Sequence, residues 1–161
     1  MFSFLFRARS VANSIEIIIH KLYPEINVIY VDHTREAVYQ AMMETPCICG
    51  LIYIGHATWH GTRSGLVFNQ RNGIATEKTT HSIDVRDLPT ENLIPGNASM
   101  LIACRSRSKK HGADSIAKKM SEHFNGQVLG SENKLNFTSD GPHTPENLGE
   151  TLWNVFPETE P

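Results

Sequence analysis

The chain has 161 residues, enough to bury the core of one domain, and we expect a single domain over residues 1–161. Hydrophobic residues are 40% and charged residues 20% of the sequence, which is typical of a globular protein and excludes a disordered chain. The formal net charge of −2 gives no reason to expect a nucleic acid or a membrane surface as partner.

The first third of the chain alternates strand-like and helix-like segments. Ser10 or Asn13 is placed to cap the first helix, which Pro24 ends, and Thr34 precedes the second helix. The run over 47–54 is almost continuously apolar, as in a parallel strand that is covered on both faces. The predicted elements are strands over 2–6, 26–31 and 47–54 and helices over 11–22 and 35–43.

A different pattern follows, and we expect a hairpin and loop insertion over about 58–82. Gly65–Phe68 fits a short strand, and Asn72-Gly73 is a strong hairpin-turn signal. Residues 83–88 are expected to lead into a short turn or helix that ends at Pro95-Gly96.

The second half returns to the alternating pattern, with strands predicted over 99–103 and 127–130. Between them, apolar residues recur at helical spacing from Ala113 to Phe124. Gly126 suits the left-handed position that ends such a helix. Residues 131–161 are rich in loop-forming residues, and we expect this C-terminal segment to be irregular.

This order of elements predicts an α/β fold, a three-layer sandwich with a mostly parallel sheet and helices on both faces. Ligands of such sheets bind beyond the carboxyl ends of the strands. His56 and Cys104 each follow a predicted strand directly and lie 48 residues apart in the sequence. If the two strands are parallel neighbours, both side chains lie at one edge of the sheet. A base beside a thiol is the minimum for a cysteine nucleophile.

The other chemistry-bearing residues give weaker signals. Three cysteines do not form a disulfide framework, and we expect Cys47 and Cys49 to share one strand face as buried or edge residues. The histidine spacing matches no metal motif, so no metal or cofactor is predicted. The basic residues over 105–110 form either a solvated loop or an electropositive rim that lowers the pKa of Cys104.

The two short motifs Gly55-His56 and Ala103-Cys104 resemble those of the caspase-like (clan CD) cysteine peptidases, nearest to bacterial CHAT and toxin-associated peptidase domains. A histidine about 50 residues upstream of the cysteine is typical of caspases. The resemblance implies a thiol peptidase that acts on a protein or peptide substrate. It makes Cys104 the nucleophile and His56 the group that protonates the leaving amine, and it assigns the oxyanion hole to the backbone N–H groups of Ala57 and Cys104.

Two positions depart from the family pattern. Ala57 stands where most members have glycine, and Arg105-Ser106 replaces the Arg-Gly of caspases, so aspartate specificity is not carried over. The end of the first strand often supplies a specificity residue in this family, which makes Arg7 or Arg9 a weak candidate for substrate binding. Asp32, after the second strand, is the other weak candidate; a cap or solvated turn is its simpler interpretation.

Three functions stay open at this point. The first is a cysteine endopeptidase, as part of a bacterial effector or toxin. The second is a catalytically silent pseudo-peptidase that binds a partner, and the third is another cysteine-dependent acyl hydrolase such as a deamidase. The apolar-then-basic start is the reverse of a secretory signal, so we expect a cytoplasmic protein or one delivered out of the cell without a cleavable signal peptide.

Overall fold

The structure is a computed structural model, and it describes residues 2–6, 21, 24–25, 27–31, 34–55, 57–60, 63–67, 82–103, 106, 115–132 and 153–157. The strands are β1 (Phe2–Phe6), β2 (Asn27–Val31), β3 (Ile48–Gly55), β4 (Ala57–His60), β5 (Arg63–Val67), β6 (Ser82–Ile83), β7 (Ala98–Ala103), β8 (Gln127–Ser131) and β9 (Trp153–Phe156). Lys21 is helical, and the α-helices with described bounds are α1 (Arg35–Glu44) and α2 (Ile116–Phe124); a short 3-10 helix spans Val85–Asp87.

Six strands form the main sheet in the order β2-β1-β3-β7-β8-β9. The first five run parallel, whereas β9 pairs antiparallel with β8. The prediction of an α/β fold with a mostly parallel sheet is therefore confirmed, and its five predicted strands form within one residue of their expected ends. The predicted helix over 11–22 lies outside the described residues apart from Lys21. The segment expected to be irregular over 131–161 contains β9, whose Phe156 packs against the core.

One face of the main sheet carries the core on which both α-helices pack. Its buried residues are Val38, Met42, Ile48, Leu51, Tyr53, Val85, Leu88, Leu101, Ala103, Ile116, Ala117, Met120, Phe124 and Val128. Side chains alternate between the faces along a strand. Ile52 and Ile102, which are 8% and 0% exposed, are therefore buried on the opposite face. The middle strands bury side chains on both faces, in agreement with their continuous apolar sequence.

The neighbouring strands β3 and β7 approach each other closely near their starts. A Cβ atom on Gly50 would lie 1.7 Å from the carbonyl oxygen of Ala98, so only glycine fits there without a backbone shift. Next to it, the N–H of Leu51 donates to Oγ of Ser99 at 3.0 Å. These contacts begin a register that continues to the far ends of both strands.

Polar side chains cap the helices at their amino termini. Thr34 caps α1, and Ser115 caps α2. At the other end of α2 the left-handed residue is Asn125, with φ of 47°, so the assignment of this conformation to Gly126 was wrong. Glycine is needed at position 126 for space, because a Cβ there would lie 2.4 Å from Oδ1 of Asn97.

Cys47 precedes β3 and does not belong to it. Its φ is 56°, in the left-handed region, and its side chain is exposed, whereas Cys49 in β3 is half-buried. The expectation that both thiols share one strand face was therefore wrong. The physical reason is the tight connection from α1 into β3, where the chain turns within three residues, Thr45–Cys47.

The insertion after β3 forms a second, three-stranded sheet in the order β4-β5-β6. β4 and β5 pair antiparallel up to His60 and Arg63. Their two-residue connection is Gly61-Thr62, whereas Asn72-Gly73 lies outside the described residues, between β5 and β6. Glycine at the first position of a two-residue loop is also a hairpin signal, and it identifies this connection from sequence.

Candidate functional site

The candidate site is at the carboxyl edge of the main sheet, where β3 and β7 end together. The two strands are parallel neighbours, and their last residues, Gly55 and Ala103, are register partners. The predicted adjacency of the strands is thus confirmed. His56 and Cys104 follow these two residues directly in the sequence and lie outside the described residues.

Ser106 is a fully buried serine just beyond the end of β7. Its N–H donates to the carbonyl oxygen of Ala103 at 3.3 Å, and its Oγ donates to that of Leu101 at 3.2 Å. The same Oγ accepts from the N–H of Ser131 at 2.9 Å, and the Ser106 carbonyl accepts from the N–H of Ala117 at 2.8 Å. Ser106 therefore ties the end of β7 to both β8 and α2.

Ser131, the last residue of β8, is also fully buried and acts at the same edge. Its Oγ donates to the carbonyl oxygen of Ala103. The paired register between β7 and β8 ends earlier, at Leu101 and Gly130, so serine hydroxyls continue the connection beyond the backbone ladder. Sequence reasoning missed both serines. A serine that follows an apolar strand gives no signal by itself, because the same pattern occurs at exposed turns.

The amino terminus of α2 lies at this edge as well. Oγ of Ser115 accepts the N–H of Lys118 at 3.1 Å, and the Ser106 carbonyl accepts the next free N–H, that of Ala117. The amino end of a helix carries a partial positive charge.

The second sheet also starts from the candidate site. Ala57, the residue predicted to supply an oxyanion-hole N–H, is the first residue of β4 and the register partner of Leu66. His56 thus stands in the sequence between the last residue of the main sheet's β3 and the first residue of the hairpin.

The weaker specificity candidates, Arg7 and Asp32, lie outside the described residues. They follow β1 and β2, whose last residues Phe6 and Val31 are register partners. Phe6 also pairs with Tyr53, two residues before the end of β3. β1 borders β3, the strand that precedes His56, whereas β2 is one strand further away. The strand order therefore favours Arg7 over Asp32 as a neighbour of the site.

The segment that follows the insertion is fastened to α2 by polar contacts. Asp84 accepts from the guanidinium of Arg86 at 2.6 Å, and the Lys119 ammonium lies 4.0 Å from the same carboxylate oxygen. The hydrogen bonds from Arg86 hold the pKa of Asp84 below its usual value, and Lys119 adds to this effect. Nε2 of His123 donates to the carbonyl oxygen of Leu88 at 2.8 Å. These contacts, which sequence reasoning also missed, hold residues 84–88 against the helix that starts at the candidate site.

Other kinds of site find little support within the described ranges. No group of three or more His, Cys, Asp or Glu side chains there is arranged to hold a metal ion. Neither α-helix in that part of the chain is long and apolar enough to cross a membrane.

No protein-family model matches the chain, and no curated protein matches its sequence. Its function is therefore inferred from the strand ends and from the hydrogen bonds that hold them.

Proposed function

We propose that this chain is a caspase-like cysteine peptidase with Cys104 as nucleophile and His56 as general acid. The observation that carries the proposal is the register pairing of Gly55 with Ala103 at the ends of neighbouring parallel strands. Paired Cα atoms lie about 4.8 Å apart and consecutive ones about 3.8 Å, so the Cα atoms of His56 and Cys104 are at most about 12 Å apart. Both side chains can therefore reach one peptide bond.

The proposed reaction is an acyl transfer in two stages. The thiolate of Cys104 attacks the carbonyl carbon of the substrate and forms a C–S bond. The C–N bond then breaks while the imidazolium of His56 donates a proton to the leaving amine. Water attacks the thioester, which releases the carboxylic acid and restores the thiol. The amino terminus of α2 supports this chemistry, because its partial positive charge favours the thiolate.

The backbone of Ala57 is suited to the oxyanion hole. A two-residue hairpin loop is closed by a hydrogen-bonded pair, here His60 and Arg63, and bonded and non-bonded pairs alternate along the ladder. By this alternation Ala57 and Leu66 form a non-bonded pair, and the N–H of Ala57 is directed away from β5. In that direction it can bind the oxygen on which negative charge develops.

The finer architecture belongs to the same proposal. Ile52 and Ile102 are buried on the sheet face opposite α1 and α2. The helix predicted over 11–22 connects β1 to β2. This connection crosses the sheet in the opposite direction to the connection from β2 to β3. Right-handed crossovers in opposite directions lie on opposite faces. This helix therefore lies on the sheet face that carries Ile52 and Ile102 and completes a three-layer sandwich.

The direct test is hydrolysis by single-residue variants. Wild type, Cys104→Ala and His56→Ala are incubated with labelled casein and with a peptide library, and new amino termini are identified by mass spectrometry. We expect each of the two variants to lose more than about 1,000-fold in rate while their circular dichroism spectra stay unchanged. Cys47→Ala, which removes an exposed thiol, is the matched control and keeps the wild-type rate. Wild-type hydrolysis by Cys104→Ala would overturn the proposal.

The same experiment separates the two other functions. A pseudo-peptidase yields no product, and iodoacetamide alkylates its Cys104 no faster than Cys47 or Cys49. A deamidase converts glutamine or asparagine side chains in the library to acids without new amino termini. The pseudo-peptidase is tested because Ala57 stands where most members of the family have glycine.

A further inference from the structure

The end of β7 is held in different ways on its two sides. On the β3 side, backbone pairing continues to the last residue, Ala103. On the β8 side it stops at Leu101, two residues earlier. From there the connection is made by side chains: Oγ of Ser131 donates to the Ala103 carbonyl, and Oγ of Ser106 accepts the N–H of Ser131.

Ser106 uses all of its hydrogen-bonding groups while it is 0% exposed. A buried hydroxyl without partners is costly, so its place is set by the four groups it contacts on β7, β8 and α2. The bond from its N–H to the Ala103 carbonyl joins residues three apart, as in a tight turn. Cys104 and Arg105 are the two residues between these fixed points in the sequence.

We infer that Ser106, supported by Ser131, is a positioning residue for the thiol of Cys104. The inference rests on the peptidase function proposed above. A nucleophile on a loose polar loop would sample many positions, whereas a displacement of about 1 Å can cost about 100-fold in rate. Ser106 removes this freedom, since it binds the strand before Cys104 and the helix after it. Ser131 fixes the same carbonyl, that of Ala103, from the next strand.

A purely structural role for Ser106 would also explain its burial, so the test needs a matched serine elsewhere. Ser121 in α2 is 7% exposed, and its Oγ donates to the carbonyl oxygen of Gly126 at 2.7 Å. This bond lies beyond the carboxyl end of α2, just before β8 begins, and thus at the opposite edge of the sheet. Loss of either hydroxyl removes one serine-to-carbonyl hydrogen bond. Loss of the Ser106 hydroxyl also removes the acceptor of the Ser131 N–H, and only Ser106 is tied to the end of β7.

The experiment compares Ser106→Ala, Ser131→Ala and Ser121→Ala in a chain with Cys47→Ala and Cys49→Ala, so that Cys104 is the sole thiol. Three quantities are measured: the urea midpoint, the rate of iodoacetamide alkylation, and kcat and KM for a peptide cleaved by wild type. Alkylation is followed from about pH 5 to about pH 9, which covers the ionisation of imidazole and thiol. Ser131→Ala keeps the inference testable if Ser106→Ala does not fold.

We expect all three variants to lower the urea midpoint. Ser106→Ala and Ser131→Ala should also lower kcat about 10-fold or more with little change in KM, and should shift the pH profile of alkylation. Ser121→Ala should change neither. If the folded Ser106→Ala and Ser131→Ala variants keep the wild-type kcat and alkylation profile, the positioning role is overturned. If wild type cleaves no peptide, the proposed peptidase fails, while the alkylation profiles still decide whether Ser106 positions the thiol.

Discussion

Two residues other than glycine adopt left-handed backbone conformations within the described ranges, and they differ in how well they tolerate them. Asn125 ends α2 with φ of 47°, a conformation that asparagine often adopts. Cys47 has φ of 56° in the turn before β3, where an ordinary L-residue is strained. Because the side chain of Cys47 is exposed, packing does not explain why a cysteine stands there.

Replacement of Cys47 by glycine is expected to stabilise the fold relative to Cys47→Ala. Glycine removes about 1–2 kcal/mol of left-handed strain, and its greater freedom in the unfolded chain costs about 0.5–1 kcal/mol. The free energy of unfolding in urea should therefore be higher for Cys47→Gly than for Cys47→Ala by about 0.5–1 kcal/mol. Cys49→Gly, in β3, is the control and should destabilise the protein. A Cys47→Gly variant less stable than Cys47→Ala would contradict the assigned conformation.

Helix ends and loops are joined by side chains that come from distant parts of the chain. The amide of Asn92 donates to the carbonyl oxygens of Met42 and Met43 at the end of α1. The amide of Asn97 donates to that of Phe124 at the end of α2. Both asparagines satisfy carbonyl groups that have no partner within the helix. One segment before β7 thus fixes the carboxyl ends of both α-helices.

The 3-10 helix after the insertion should make stability depend on pH through Asp84. Arg86 and Lys119 lower the pKa of this carboxylate in the folded state relative to its usual value of 3.8. Its contribution is therefore complete above the pKa of the unfolded chain and is lost as the pH falls through the lower folded value. We expect the free energy of unfolding of wild type to exceed that of Asp84→Asn at about pH 6, and the difference to shrink toward about pH 2.

Urea unfolding at a series of pH values checks this expectation. In an Arg86→Gln background the guanidinium that lowers the pKa most is absent, so Asp84→Asn should lose most of its pH-dependent effect. A difference between wild type and Asp84→Asn that stays constant over this pH range would show that the carboxylate is not stabilised by these partners.

The periodicity of the sequence predicts some elements of the fold, whereas other elements are seen only in the strand pairing of the structure. Apolar runs and their turn residues predicted the five parallel strands, because burial on both faces requires such runs. They did not predict β9, since Trp153–Phe156 is four residues long and alternates polar and apolar residues only once. The strand neighbours at the candidate site followed from topology rules, but the network of Ser106 did not. Its partner Ser131 lies 25 residues away, and no local pattern relates the two.

The two faces of the main sheet should contribute similarly to stability if the molecule has three layers. Leu101 and Ile102 are consecutive residues of β7, both 0% exposed, and they point to opposite faces. Leu101 packs in the core beneath α1 and α2, whereas Ile102 lies on the face assigned to the helix predicted over 11–22. Each substitution by alanine is expected to lower the free energy of unfolding by about 2–5 kcal/mol, because each leaves a cavity in a packed layer. Urea denaturation of Leu101→Ala and Ile102→Ala measures the two costs side by side. A cost below about 1 kcal/mol for Ile102→Ala, next to several for Leu101→Ala, would mean that the second face lacks a packed helical layer.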